Sequence, residues 1–286
     1  MKILGVNISH NCSFAYFENN ILKQYYEEDR FNKIKNFRPF HPFVNSNYQY
    51  KALEKFKDVT FDGVSISSCG VENACYEKLI IDNILKQIKC NDIKFYNWDH
   101  HIHHALCGFY FSDFNEALGI ICDGGGESLP EPRSIFRSVE SIYYINNKVK
   151  KLYQHYTNWG TDYFKIYYKT PMEELHNDLY LTNKLAGALK YLNYTKMAGF
   201  KSHQEGQLMG IAAYKNKNTN LSKRVLEIAN KAQEETLEER IALIEKAVTY
   251  SDCKNIILSG GYHLNCSNNF KLVKHFPKLK FFIDPI

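Results

Sequence analysis

The sequence predicts an α/β protein made of two lobes that carry the same order of strands and helices. Two observations support this prediction. Short apolar runs of strand length alternate with longer segments whose apolar residues recur at helical spacing. The series of elements over residues 1–112 then begins again over residues 113–286, so these two ranges are expected to form lobe I and lobe II.

Lobe I is predicted to have the order βββαβαβα. Its strands are expected at residues 2–7, 13–17, 21–27, 64–67 and 93–98, and its first two helices at residues 48–57 and 72–88. Glu18, Asn19 and Asn20 provide a tight turn between the second and third strands. The last helix is expected directly after Trp98, and it begins with a cluster of histidines.

Lobe II is predicted to repeat this order and to lack the last helix. Its strands are expected at residues 117–122, 133–145, 149–155, 255–258 and 279–283, and its helices at residues 181–214, 221–248 and 263–276. Asn146 and Asn147 form a good hairpin turn between its second and third strands. Duplicated βββαβαβα lobes define the actin-like ATPase superfold, in which a nucleotide lies between the lobes. The sequence therefore predicts that fold.

The composition disfavours nucleic-acid and membrane partners. The net charge is only +5 and the lysines are spread along the chain rather than clustered. No apolar run approaches the roughly 20 residues that span a bilayer, and the chain opens on a strand pattern rather than a secretory signal. The eight cysteines form no C-x-x-C pair, so a reduced, cytoplasmic protein is expected.

The histidine cluster at the start of the last helix of lobe I indicates a metal site. His100 and His104 are four residues apart, which places them on one face of a helix. Asp123 follows the strand at 117–122 and precedes three glycines, so its carboxylate is well placed to join them. Two imidazoles and a carboxylate suit Fe(II), Zn or Mn. Helix capping or simple solvent exposure remains the alternative; His103 falls on another face, and His101 is ambiguous.

Three further segments are candidates for binding. The turn after the first strand carries His10, and a run of mixed charge over residues 27–35 ends at Lys35, although such a run, taken alone, is more typical of a solvated loop. The segment 259–269 joins a strand to a helix with two glycines, which allow close backbone approach to a ligand, and a helix N-terminus favours an anion. A glycine turn with capping residues is the alternative there.

These segments, in this order, resemble the carbamoyltransferases of the NodU/CmcH/TobZ type. The family patterns are H-D/N-x-S, EEERF-x-R-x-K, D-H-H-x-x-H-A, D-G-x-G-E, G-K-x-M-G-L-A-x-Y and S-G-G-x-x-x-N-x-x-x-N. Their counterparts here lie at residues 10–13, 27–35, 99–105, 123–127, 206–214 and 259–269. The resemblance spans essentially the whole chain, and six ordered motifs are together strongly specific.

The resemblance implies a domain similar to the Kae1-type threonylcarbamoyltransferases, with a divalent metal, usually iron, and adenine nucleotide. Such a domain passes a carbamoyl group from carbamoyl-adenylate to an acceptor hydroxyl. The adenylate is made from carbamoyl phosphate and ATP in a carboxy-terminal YrdC-like domain. Carried over, the metal ligands are His100, His104 and Asp123. The nucleotide side comprises Asp123, Gly124, Gly187, Ser259, Gly260, Gly261, Asn265 and Asn269. His10, as general base, and Lys35, opposite the developing oxyanion, are implied on the acceptor side.

Three departures from the family pattern leave alternatives open. The family's further aspartate ligand is expected a few residues beyond Ile286, and Asp284 is not assigned to that role. The YrdC-like domain is expected in cis or as a separate chain. Gln207 stands where the family usually has lysine. A degenerate metal- and nucleotide-binding protein and a threonylcarbamoyl-type transferase are therefore the alternatives to an O-carbamoyltransferase, whose acceptor would be a hydroxyl of a small molecule or glycan.

Overall fold

The computed structural model describes most of the chain, as two compact units. The described residues are 1–8, 11–34, 37, 48–67, 74–96, 100–127, 129, 136–158, 173–176, 179–182, 187–202, 204–215, 217 and 220–285. His10, Lys35 and Asp99 lie outside them. The units are Met1–His100 and His101–Ile286. The expected boundary between the lobes, at residue 112, divides the order of strands and helices rather than compact units, and it stays a prediction.

The first unit is built around a sheet that is five-stranded within the described residues. The strands in chain order are β1 (Lys2–Asn7), β2 (Ser13–Glu18), β3 (Ile21–Glu27), β4 (Thr60–Phe61), β5 (Gly63–Ser67), β6 (Lys89–Cys90) and β7 (Ile93–Tyr96). The sheet has the order β3-β2-β1-β5-β7, while β4 and β6 pair separately. β1 is antiparallel to β2 and parallel to β5. The alternation of β1 buries Leu4 and Val6, which join one hydrophobic core.

Three helical segments belong to this part of the chain. They are α1 (Asp29–Asn32), a 3-10 helix at Lys51–Phe56 and α2 (Ala74–Leu85). The 3-10 helix begins against Glu28, whose buried carboxylate accepts hydrogen bonds from the backbone N–H groups of Lys51 and Ala52, at 3.0 and 2.9 Å. Glu28 thus caps a helix, so the interpretation of this charged run as a solvated loop is wrong at that residue.

The second unit contains a sheet of seven strands among the described residues. They are β8 (Ala117–Cys122), β9 (Phe136–Ile145), β10 (Val149–Asn158), β11 (Glu173–His176), β12 (Leu179–Thr182), β13 (Asn255–Ser259) and β14 (Lys280–Ile283). The order is β11-β12-β10-β9-β8-β13-β14. β8 is antiparallel to β9 and parallel to β13, which is parallel to β14. The run β10-β9-β8-β13-β14 therefore repeats the order and directions of the first sheet, which confirms the predicted duplication.

Helices cover both faces of this second sheet. The helices are α3 (His100–Phe111), α4 (Gly187–Met197), α5 (Glu205–Ala212), α6 (Lys223–Thr249) and α7 (Cys266–His275), with a 3-10 helix at Gly261–Leu264. All six residues of β8 are buried. Ile120 packs in the core formed with α4, α6 and α7, whereas Ile121 packs with Ala105 of α3. β8 is therefore the central strand between two helical layers.

Some predicted elements differ from those observed. The predicted helix over 181–214 begins later, because residues 179–182 form β12, and it is divided into α4 and α5. The predicted helix over 48–57 is the shorter 3-10 helix, and the one over 263–276 starts with a 3-10 turn. Among the helices that the structure describes, none combines the length and apolar composition that a membrane span requires.

Candidate functional site

Three potential metal ligands meet where α3 begins and β8 ends. The helical geometry of α3 places His100 and His104 one turn apart, and Asp123 directly follows β8. One ligand atom from each of these side chains lies within 4.8 Å of the other two. The structure thus brings together the three residues that the sequence analysis grouped. His101, which was ambiguous, lies on another face: it is buried and its Nδ1 is 2.7 Å from Ser141 Oγ.

The donors of His104 and Asp123 are spaced to bind a single divalent ion. Metal bonds to imidazole nitrogen and carboxylate oxygen measure about 2.0–2.2 Å, so two donors on one ion are at most about 4.3 Å apart. His104 Nε2 and Asp123 Oδ2 are 3.9 Å apart, within that reach, and their side chains are 17% and 23% exposed. Two nitrogens and a carboxylate with open positions suit iron, zinc or manganese.

The 259–261 loop, which begins at the last residue of β13, contacts two of these ligands. Ser259 Oγ lies 3.2 Å from His104 Nδ1, and the same hydroxyl donates a hydrogen bond of 2.7 Å to Asp284 Oδ2. The backbone N–H of Gly261 donates to Asp123 Oδ1 at 3.2 Å. Ser259 and Gly261, which the resemblance assigned to a nucleotide, therefore also contact the candidate metal ligands.

Gly260 is required by crowding within the protein. Its φ is +96°, in the region that favours glycine. A Cβ at this position would lie 2.3 Å from the carbonyl oxygen of Cys122. The sequence predicted that the backbone at this glycine closely approaches a ligand. Among the described residues, the backbone that it approaches is the end of β8. Gly124, by contrast, has open space where a Cβ would be.

Asn265 and Asn269, which the resemblance assigned to a nucleotide, fasten α7 to its surroundings. Asn265 caps α7 by accepting from the N–H of Asn268 at 3.1 Å, and its Nδ2 donates to Gln233 Oε1 of α6 at 2.7 Å. Asn269 Nδ2 donates to the carbonyl of His263 at 2.7 Å, while its Oδ1 accepts from Arg240. Their assignment to a nucleotide stays a prediction.

Arg240 and His263 form a buried pair that sequence reasoning missed. Arg240 Nη2 donates to His263 Nδ1 at 2.7 Å, and both residues are almost fully buried. Burial lowers the pKa of His263 well below its ordinary value, and the charges of Arg240 and His104 act in the same direction. Burial also lowers the pKa of Arg240 to about 10. The buried face of α6 includes Thr236, Arg240, Leu243 and Ala247 at helical spacing, and this spacing is the signal that could have identified Arg240.

The remaining predicted residue of the nucleotide side, Gly187, begins α4 with a φ of +53°. A Cβ there would lie 3.6 Å from Glu140 Oε1. Glu140 also lines a cavity of about 260 Å³ with Tyr153, His155 and Glu239. His155 Nδ1 is 2.8 Å from Glu140 Oε2, and burial raises the pKa of Glu239. No sequence motif had indicated this cavity.

Comparison with sequence families gives little further information. No family model matches the chain. Over 127 residues it is 33% identical to the uncharacterized protein MJ1051 of Methanocaldococcus jannaschii. That match covers 44% of this chain and only 23% of the relative, so the chain spans less than a quarter of that protein.

Solved structures show the fold. Full-length HypF, solved in a phosphate- and nucleotide-bound form, superposes with a TM-score of 0.57 at 11% identity, over 99% of this chain and 52% of HypF. The ROK hexokinase from Thermus thermophilus gives 0.53 at 11% identity, over 99% and 93% of the two chains. A ROK family protein from Streptococcus pneumoniae, in complex with sucrose, gives 0.52 at 12% identity, over 99% and 92%. The chain therefore has the actin-like ATPase fold that its sequence predicts.

Proposed function

We propose that this chain is the transfer domain of an O-carbamoyltransferase of the NodU/CmcH/TobZ type. It would move a carbamoyl group from carbamoyl-adenylate to an acceptor hydroxyl of a small molecule or glycan. One observation carries the proposal: His100, His104 and Asp123, which the family motifs assign to the metal, each present a ligand atom within 4.8 Å of the other two. The actin-like ATPase fold, shared with a HypF structure that contains phosphate and nucleotide, is consistent with it.

The transfer step can be written with the residues that the resemblance assigns, so that each bond formed is matched by a bond broken. The acceptor oxygen attacks the carbamoyl carbon, and a new C–O bond forms. The bond between that carbon and the phosphate oxygen of AMP breaks, and its electron pair leaves with AMP. His10 takes the hydroxyl proton and Lys35 neutralises negative charge on the carbonyl oxygen. His100, His104 and Asp123 would hold the ion, which supplies Lewis acidity toward the adenylate.

The proposal requires a source of carbamoyl-adenylate. By the resemblance, a YrdC-like domain makes it from carbamoyl phosphate and ATP, either in the same polypeptide or in a separate chain. The present chain would then supply metal, nucleotide and acceptor sites only. An assay that provides carbamoyl-adenylate directly therefore tests this chain without its partner.

The test combines metal content with carbamoyl transfer. The purified chain is reconstituted with Fe(II) without oxygen, and bound iron is measured by mass spectrometry. It is then given ¹⁴C-labelled carbamoyl-adenylate with antibiotic and oligosaccharide acceptors, and AMP and labelled product are quantified. His104→Gln should abolish iron binding and transfer. His103→Gln, on the same helix but outside the ligand group, should leave both unchanged and is the matched control.

Two outcomes would overturn the proposal. Wild-type protein that binds no iron, zinc or manganese would remove its physical basis. Metal-loaded protein that releases no AMP from carbamoyl-adenylate, but transfers the γ-phosphoryl group of ATP to a sugar hydroxyl, would instead assign it to kinase chemistry on the same fold.

A further inference from the structure

We propose that Ser259, Gly261 and Asp284 are positioning residues that prepare His104 and Asp123 for metal binding. Ser259 and Asp284 fix the tautomer of His104, and Gly261 fixes the carboxylate of Asp123. The inference rests on the proposed function only for the presence of the ion. It assigns a role to Asp284, and it gives the 259–261 loop a role separate from nucleotide binding.

The tautomer follows from the single proton of the Ser259 hydroxyl. That proton is directed at Asp284 Oδ2, 2.7 Å away, where the carboxylate oxygen accepts it. Toward His104 Nδ1, at 3.2 Å, Ser259 Oγ must therefore accept, so the imidazole proton lies on Nδ1. The lone pair of His104 is then on Nε2, the nitrogen that faces Asp123 Oδ2 at 3.9 Å. A metal needs that unprotonated nitrogen.

The carboxylate of Asp123 is oriented by a backbone donor. Its Oδ1 accepts from the N–H of Gly261, which leaves Oδ2 directed toward His104. Gly260 precedes this donor, and its positive φ and lack of a Cβ let the backbone pass close to the Cys122 carbonyl at this point. These contacts thus orient the two ligands before an ion arrives, as second-shell contacts do in metal sites.

The sheet explains why one loop reaches both ligands. β8, β13 and β14 are parallel neighbours, so their carboxyl ends lie at the same edge. Asp123 follows β8, Ser259 ends β13 and Asp284 follows β14. The backbone N–H of Asp284 donates to the carbonyl of Leu258 at 2.9 Å, which extends the pairing of β14 with β13 and places this buried carboxylate behind Ser259.

Metal affinity of the full chain tests the inference, with Co²⁺ alone as the probe at pH 8. Ser259→Ala should weaken Co²⁺ binding about 10–100-fold, the usual effect of removing a second-shell partner. Asp284→Asn is isosteric, and its amide can donate to Ser259, which would reverse the hydrogen bonds and move the proton to Nε2. It should weaken binding within the same range. Ser141→Ala is the matched control, because it removes a buried serine contact to His101 instead.

The tautomer itself is the readout that a merely structural role would not change. Two-bond ¹H–¹⁵N spectra of metal-free protein with ¹⁵N-labelled histidine distinguish protonated from unprotonated ring nitrogens, and the spectrum of His104→Gln identifies the His104 signals. Wild type and Ser141→Ala should show Nδ1–H for His104. Ser259→Ala and Asp284→Asn should show exchange between tautomers or a shift to Nε2–H.

The outcomes separate this inference from the proposed function. Wild-type protein that binds no Co²⁺ would contradict the metal site itself. Wild-type protein that binds Co²⁺ but carries Nε2–H on His104 before loading would refute the positioning inference alone. Unchanged affinity and tautomer in the variants would refute it as well. If Ser259→Ala does not fold, Asp284→Asn and the wild-type tautomer decide the question.

Discussion

Replacing Gly260 with alanine should destabilise the second unit strongly. The new Cβ would lie 2.3 Å from the carbonyl oxygen and 2.9 Å from the carbonyl carbon of Cys122, the last residue of the central strand β8. Because backbone atoms cannot rotate away, β8 or the loop must shift, at a cost of about 1–3 kcal/mol for overpacking. The φ of +96° adds about 1–2 kcal/mol for any residue with a Cβ. The expected total is about 2–5 kcal/mol.

Differential scanning calorimetry measures this loss and separates the two units if they melt apart. For a domain of this size 1 kcal/mol corresponds to about 2–4 °C, so the transition should fall by about 4–20 °C. Gly210→Ala is the control, since nothing lies within 4 Å of the added Cβ in α5. That change should stabilise the helix by about 0.5–1 kcal/mol.

The same experiment distinguishes two interpretations of the glycine. If Gly260 existed to admit a ligand, Gly260→Ala would keep the stability of wild type and lose only binding. A Gly260→Ala protein that unfolds within about 1 kcal/mol of wild type would therefore refute the packing argument. A large loss of stability in the absence of ligand would support it.

Three further predictions concern the rest of the chain. Glu28→Ala should cost about 1–3 kcal/mol in urea unfolding, because the buried N–H group of Ala52 and the part-buried N–H group of Lys51 lose their acceptor, and Glu28→Gln should cost less. His263 has a folded pKa below its unfolded value, so its contribution is complete above pH ~6.5 and falls as the pH drops toward the folded pKa. The loss between pH 7.5 and 5.5 should reach about 1.4 kcal/mol and be absent in His263→Gln; equal pH slopes would contradict this. Finally, removal by chelator of an ion present at 100 times its Kd should lower the stability of the second unit by about 2.7 kcal/mol, and an unchanged melting temperature would argue against a tightly bound ion.

Strands that are encoded locally could be predicted from the sequence. β1 and β8 were predicted with their observed bounds, because each is an apolar run that ends in turn residues. The helix predicted over residues 48–57 was found, but its start at Lys51 could not be predicted, since its first N–H groups are held by Glu28, 23 residues earlier in the chain. β12 was also missed at residues 181–182, because it exists by pairing with β10, and that pairing is not visible in local periodicity.

The candidate site likewise contains residues that could be predicted from local sequence and one that could not. Helical spacing was enough to pair His100 with His104, and the end of an apolar strand identified Asp123. Asp284 was not assigned, because its sequence neighbours form a strand and give no sign of a site. Its contact with Ser259 depends on β14 lying beside β13, which is a property of the whole sheet.

The buried network behind the 259–261 loop also constrains any nucleotide that uses Asn265 and Asn269. Each amide already makes one donor and one acceptor contact, and these contacts cap α7 or join it to α6 and to the 3-10 turn. An amide offers two protons and two lone pairs, so one of each remains for a ligand. Replacing either side chain would therefore remove helix packing together with any nucleotide contact. Nucleotide binding through these residues is consequently linked to the packing of α7, and a loss of affinity alone would not assign them a direct contact.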